Sequence, residues 1–152
     1  MIVTLRPTTE NDEPFLRRLI VESIGLELGS NQWPEPLRGN ILEMQYTGRR
    51  NAWRSTHPEA QSSLILVDGT EAGWVVVATE ADSIYLAEII VHPELRGRGI
   101  AKAVLEGILD TGRVVHLEVL LANTAAIRLY EGMGFRRVRG DEVRQWMEYQ
   151  PG

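Results

Sequence analysis

The chain of 152 residues contains no cysteine. That excludes disulfides, thiolate metal sites and a cysteine nucleophile together. Its three histidines, His57, His92 and His116, are scattered and fit no ligand spacing such as H-E-x-x-H, so no metal is expected. No serine stands in a G-x-S-x-G elbow. Long apolar runs are missing too: none approaches the roughly 18 residues of a membrane span. The opening MIVTLRPTTENDE lacks the basic start and apolar core of a secretory signal, which leaves the cytoplasm as the expected compartment, with no membrane partner. Nor is there an excess of positive charge. The formal net charge is -5, which argues against a nucleic-acid partner. Without repeats, low-complexity tracts or a linker, residues 1–152 read as a single domain with its own core.

Residues 2–7, IVTLRP, alternate and end in proline, as an edge strand does. A helix follows, with Phe15, Leu16, Leu19 and Ile20 on one face and Gly29 closing it. After the loop SNQWPEP, near-helical spacing of Leu37, Ile41, Met44, Gln45 and Ala52 predicts a second helix. Two apolar runs around Asp68-Gly69 make a hairpin, and 83–91 is a third consecutive strand. A helix from about 98 to 110 ends at Gly112. A strand over 114–121, a short helix capped by Asn123, and a hairpin around Gly140-Asp141 complete the chain. The order β-α-α-β-β-β-α-β-α-β-β predicts an α/β (α+β) fold with a mixed sheet.

PELRGRGIAKAV, residues 93–104, joins a strand to a helix. It fails the dinucleotide template G-x-G-x-x-G, which would need glycine where Lys102 stands, and it is no Walker loop. Gly97 and Gly99 nevertheless allow a tight bend and close approach of a ligand. The amides that open the helix, its dipole, and the charges of Arg96, Arg98 and Lys102 favour an anion such as a diphosphate. On these residues alone, a plain turn with solvated arginines is an equal alternative. In NTAAIRLYEGMGF, 123–135, Asn123, Ile127 and Tyr130 share a helix face; taken singly, a cap and a half-buried tyrosine explain them.

Together, VHPELRGRGIA and NTAAIRLYEGMGF resemble the GNAT superfamily of acetyl-CoA-dependent N-acetyltransferases, and the small bacterial-type members in particular. Arg96, Gly99 and Ala101 occupy the positions of the R/Q-x-x-G-x-G/A signature, and the second stretch matches N-x-x-A-x-x-L-Y-x-x-x-G-F. The resemblance implies the GNAT fold with splayed central strands, 84–91 and 114–121. It implies acetyl-CoA as co-substrate, its diphosphate on Arg96, Gly97, Arg98, Gly99, Ile100, Ala101 and Lys102. Its pantetheine arm would lie along Ile89, Val91, His92 and Pro93 and touch Asn123, with the Val91 N–H as an oxyanion donor. Tyr130 would act as general acid toward the departing thiol. Glu118 matches a catalytic glutamate of the ribosomal-protein alanine acetyltransferases, and Glu88 is its rival as base. Strand alternation puts Glu88, Ile90 and His92 on one face and Ala87, Ile89 and Val91 on the other. Glu22, Glu27 and Trp33 could meet a cationic acceptor, or be surface acid and loop packing. The acceptor implied is a primary amine, on a small molecule or a peptide; a silent coenzyme A-binding module is the alternative. A homodimer is compatible with all of this.

Overall fold

A computed structural model describes residues 1–152. Strands β1 (Val3–Pro7), β2 (Gln61–Val67), β3 (Thr70–Thr79), β4 (Ser83–Val91), β5 (Val114–Leu120), β6 (Arg136–Gly140) and β7 (Arg144–Tyr149) build one seven-stranded sheet. Helices α1 (Glu13–Leu28), α2 (Leu37–Asn51), α3 (Ile100–Leu109) and α4 (Thr124–Gly132) pack on its two faces. The spatial order is β1-β2-β3-β4-β5-β7-β6, so the chain follows the succession of elements expected from its sequence. Pro7, which cannot donate to a ladder, ends an edge strand. Asp68 (φ 50°) and Gly69 (φ 82°) make the two-residue hairpin turn, both in the left-handed region that such turns require.

The apolar residues separate into two cores. Ile84, Leu86, Val91, Val115, Leu117, Val119 and Met147 face α3 and α4, with Val104, Leu105 and Tyr130. Leu64, Trp74, Val76 and Ile90 face α1 and α2, with Leu16, Leu19, Ile20 and Ile24. On α2 the buried side chains are Leu42, Tyr46 and Arg50, at i, i+4, i+8, whereas Met44 is 73% exposed. The face expected from Leu37, Ile41, Met44, Gln45 and Ala52 is therefore rotated. The reason is a charge on the true inner face. Arg50 meets Glu13 of α1 at 2.8 Å, and the Tyr46 hydroxyl donates to the same carboxylate at 2.6 Å. A periodicity count treats such an arginine as outward-facing.

All neighbouring strands are antiparallel except β4 and β5, which are parallel and joined through α3. Their ladder has only the rungs Ser83–Val114, Ile84–Val115 and Tyr85–His116. From Leu86 and Leu117 onward the two strands diverge, opening a gap in mid-sheet.

A bulge in β4 corrects the face assignment made from strict alternation. Val76 pairs with Glu88 and the next residue, Val77, with Leu86, so Ala87 has no residue opposite. Ile84 and Leu86 face the α3–α4 core, and after the bulge so do Ile89 and Val91. Ala87 instead packs with Ile90 on the α1–α2 side.

At the end of β4, Gly73 of β3 fixes how closely the strands approach. A Cβ there would stand 2.3 Å from the Ile90 carbonyl oxygen and 3.2 Å from the Val91 Cα. Both obstacles are backbone. Gly73→Ala should therefore destabilise the fold by about 2 kcal/mol or more. That is a fall in Tm of about 5 °C in a thermal melt. An unchanged Tm would show that β4 is free to yield.

Candidate functional site

The turn after β4 is built by two glycines. A single 3-10 turn, Pro93–Leu95, brings the chain to Arg96, whose backbone is still extended. Gly97 (φ 78°) and Gly99 (φ 82°) then take left-handed conformations on either side of Arg98, and Gly99 caps α3. The helix thus begins at Ile100, two residues later than expected, because both residues in front of it belong to the bend. The first backbone bond after Arg96 is donated by Ala103, to Gly99. The N–H groups of residues 97–102 are left without backbone partners. A Cβ on Gly97 or Gly99 would meet nothing within 4 Å. Unpaired amides, an open concavity and a helix N-terminus together make a nest for an anion.

Arg96, Arg98 and Lys102 are all exposed beside this nest, but Arg96 also serves as a strut. Its Nε donates to the Val91 carbonyl (3.3 Å) and its Nη2 to Ser23 Oγ of α1 (3.4 Å). His92 likewise serves the framework. Its Nδ1 accepts the Glu94 N–H, and its Nε2 lies 3.1 Å from Glu22.

The gap has backbone groups on its wall. The His92 N–H bonds to Ala72 of β3, and the Ile90 carbonyl also points toward β3. Alternation of the extended backbone turns the main-chain groups of Ile89 and Val91 the other way, into the gap. Arg96 reaches the Val91 carbonyl from that side.

Tyr130 stands on α4 and is 7% exposed, its ring 5.5 Å from that of Phe135. Burial pushes its phenol up to about 12, with Glu88 adding to the effect and Arg49 opposing it. Its proton is therefore retained at every physiological pH. Asn123 is the cap of α4, its Oδ1 accepting the Ala126 N–H at 3.2 Å.

The two carboxylates differ in freedom. Glu88 is held by Arg49 through two bonds of 3.1 Å, and Arg49 also contacts Glu27 at 3.3 Å. Burial lowers the proton affinity of the Arg49 guanidinium, but Glu88 and Glu27 outweigh it and raise the pKa overall. Sequence reasoning missed Arg49, because nothing in its local pattern separates it from the solvated arginines around it. Glu118, on β5, has one looser contact, 3.5 Å to Arg144, and is 35% exposed. Of the other acceptor-side candidates, Glu22 and Glu27 are thus paired with His92 and Arg49, and Trp33 is half-buried after α1.

Glu118 belongs to an uncovered face. His116, Glu118 and Leu120 of β5, with Arg144, Trp146 and Glu148 of β7, lie on the side of the sheet opposite the α3–α4 core. The α1–α2 core contains no residue of β5, β6 or β7, so these side chains floor a trough that no helix covers, with the Arg139 guanidinium 4.5 Å over the Trp146 ring. A hollow of about 510 Å³ lies elsewhere, between α1, the β2–β3 turn and His92. No cluster of three or more histidine, aspartate or glutamate side chains is arranged to hold a metal ion, and no helix is long and apolar enough to cross a membrane.

The model of the acetyltransferase (GNAT) family matches residues 27–135, which include the glycine turn, the gap and Tyr130. The chain belongs to the GNAT acetyltransferases. Among curated GNAT relatives, the N-alpha-acetyltransferase RimI of Mycobacterium tuberculosis is 48% identical over 50 residues, 32% of each chain. The mycothiol acetyltransferase of Thermobispora bispora is 38% identical over 101 residues, 65% of this chain and 30% of its own. The ribosomal protein bS18-alanine N-acetyltransferase of Salmonella typhimurium is 36% identical over 76 residues, 47% of this chain and 51% of its own. The matched segments thus span between about a third and a half of those relatives. The GNAT fold is shared along the whole chain with the PaiA N-acetyltransferase of Thermoplasma acidophilum, solved in complex with coenzyme A. The TM-score is 0.74 at 18% identity, over 99% of both chains. The Escherichia coli ribosomal-protein-S18-alanine N-acetyltransferase gives a TM-score of 0.65 at 21% identity, over 99% of this chain and 95% of its own.

One consequence for stability follows from a carboxylate at the margin of the gap. Hydrogen bonds from His116, Ser83 and His57 hold the Glu80 carboxyl down to about 2, against an ordinary 4.5. A carboxyl lowered by folding stabilises the native state above its unfolded pKa. That stability drains away as pH falls from about 4.5 toward 2. Glu80→Gln should therefore flatten the acid limb of a stability–pH curve over this interval. An identical acid limb in both proteins would show that the three bonds do not persist in solution.

Proposed function

We propose that the protein transfers the acetyl group of acetyl-CoA directly to a primary amine, and that the amine is the amino terminus of a polypeptide. The observation that carries the acceptor is the open trough over β5 and β7. An enclosed pocket would limit the acceptor to a small molecule, whereas an uncovered sheet face admits an extended chain. The names of the RimI and ribosomal-protein relatives accord with this.

The diphosphate of the cofactor takes the amides of residues 97–102, with Arg98 and Lys102 beside it. The amides of the pantetheine arm pair with the main chain of Ile89 and share the Val91 carbonyl with Arg96, and the Asn123 side-chain N–H₂ remains free to meet them. The amine nitrogen attacks the thioester carbonyl carbon, and the Val91 N–H faces the oxygen that becomes negative. The C–S bond then breaks. At about 12 the Tyr130 phenol is a weaker acid than a thiol of about 8.5. Full proton transfer before departure is therefore uphill, and the hydroxyl acts by hydrogen-bonding the sulfur as its charge grows. The proton lost by the amine goes to Glu118, directly or through water. Glu88 is the poorer base, because both of its oxygens are engaged by Arg49.

The test is incubation with acetyl-CoA and an amine panel: peptides beginning with alanine, serine or methionine, and spermidine. Peptide acetylated on its α-amine, with one free thiol released per transfer, is the expected result. Tight acetyl-CoA binding with no transfer to any amine would replace the enzyme with a coenzyme A-holding module.

A further inference from the structure

Five side chains meet at the last rung before β4 and β5 part, and none belongs to the anion nest. Glu80, in the turn between β3 and β4, takes His116 Nε2 at 2.5 Å and Ser83 Oγ at 2.7 Å on one oxygen. His57 Nε2 lies 3.1 Å from the other oxygen. An ionised carboxylate only accepts, so both Nε2 atoms carry the hydrogen. The Tyr85 ring packs against both imidazoles, with centroids 4.7 Å from His57 and 5.1 Å from His116. His57 follows α2, Tyr85 is on β4 and His116 is on β5, so one carboxylate joins three elements around one ring.

The ring lies on the uncovered face that carries Glu118. Tyr85 and His116 are opposite each other in the ladder, and Glu118 lies one side-chain position further along the same face of β5. Burial, then the charges of Glu118, Glu88 and Glu80, raise the proton affinity of the Tyr85 phenol. A half-exposed tyrosine on a sheet surface keeps its rotamer freedom unless something removes it. Here the two imidazoles, His116 stacked and His57 tilted against the ring, do so, and Glu80 fixes the imidazoles.

We infer that Glu80 is a positioning residue: through His57 and His116 it holds Tyr85 as a fixed wall of the acceptor trough beside Glu118. The inference rests on the trough being the acceptor site. It differs from simple cross-bracing of the turn, which would alter stability and leave acceptor binding untouched.

The experiment compares wild type, Glu80→Ala, Glu80→Gln, Tyr85→Leu and the double variant Glu80→Ala/Tyr85→Leu. Steady-state kinetics use an alanine-initiated peptide, and NMR follows ring-labelled tyrosine. Glu80→Ala should raise the KM for peptide about tenfold and leave the KM for acetyl-CoA within about twofold. Glu80→Gln, which keeps an acceptor and gains a donor, should recover most of the loss. The double variant should be no worse than Tyr85→Leu, because the two residues act in series. Losses that multiply in the double variant, or an unchanged peptide KM in Glu80→Ala, would overturn the inference. Should Glu80→Ala fail to fold, His57→Ala takes its place with the same expectations. The NMR arm is independent of turnover: the Tyr85 ring should flip faster in Glu80→Ala than in wild type. If wild type acetylates no amine, the proposed function falls, while equal ring motion in both proteins is what would remove the clamp.

Discussion

Gly99→Val is expected to raise the dissociation constant for acetyl-CoA by at least about 100-fold, equivalent to roughly 2.7 kcal/mol. Two effects combine. At φ 82° the glycine occupies a region that a β-branched residue enters only with strain. A side chain there also projects into space that the protein leaves empty, since nothing lies within 4 Å of the Cβ position. The clash is therefore with the ligand and not with the fold. Strain alone should lower stability by about 1–2 kcal/mol and leave the α3 helix intact. Calorimetric titration with acetyl-CoA reads the affinity, and circular dichroism reads the helix. An unchanged dissociation constant would remove the diphosphate from this turn.

Tyr130→Phe is the second large effect. It deletes one oxygen and keeps the ring that packs on Phe135 in the α3–α4 core. The fold should be as stable as before, or slightly more so, because a buried hydroxyl no longer needs a partner. The expected result is a fall in kcat of about 100-fold, at the lower end of what a positioned proton donor contributes. Affinity for acetyl-CoA should stay within about twofold of wild type. Since the phenol is pushed up to about 12, no alkaline decline of kcat below about pH 10 should trace to this group. Full kcat in Tyr130→Phe would mean that the sulfur departs without this hydrogen bond.

Both variants sit in stretches whose local structure was legible in the sequence, and the reason is local. The glycine turn, the cap at Asn123 and the Asp68-Gly69 hairpin are each specified by a few adjacent residues with distinctive backbone needs. Succession of strands and helices was legible for the same reason. The rest depends on residues far apart in the chain. The inward face of α2 is decided by Arg50 meeting Glu13, which no count of apolar residues registers. The bulge at Ala87 shows only in pairing with β3, so alternation assigned that residue to the wrong face. Arg49 holding Glu88, and Glu80 holding His57 and His116, join positions tens of residues apart. Those contacts leave Glu118 freer than Glu88, a difference in environment that the sequence does not show.

The short ladder between β4 and β5 has a mechanical consequence. A seven-stranded sheet with a joint of only three rungs in its middle relies on the α3–α4 core, which packs on both sides of the seam, to hold its halves together. One half, β1 to β4, carries α1 and α2; the other, β5 to β7, carries the trough. Amide protons of Ile89 and Val91, facing the seam, should exchange early, whereas those shared by β3 with β4 and by β5 with β7 should exchange late. Any ligand that bonds to both edges of the seam stitches the halves together. Its binding energy then appears as resistance of the whole sheet to unfolding. An acetyl-CoA that lay along the seam would raise the temperature at which both halves unfold.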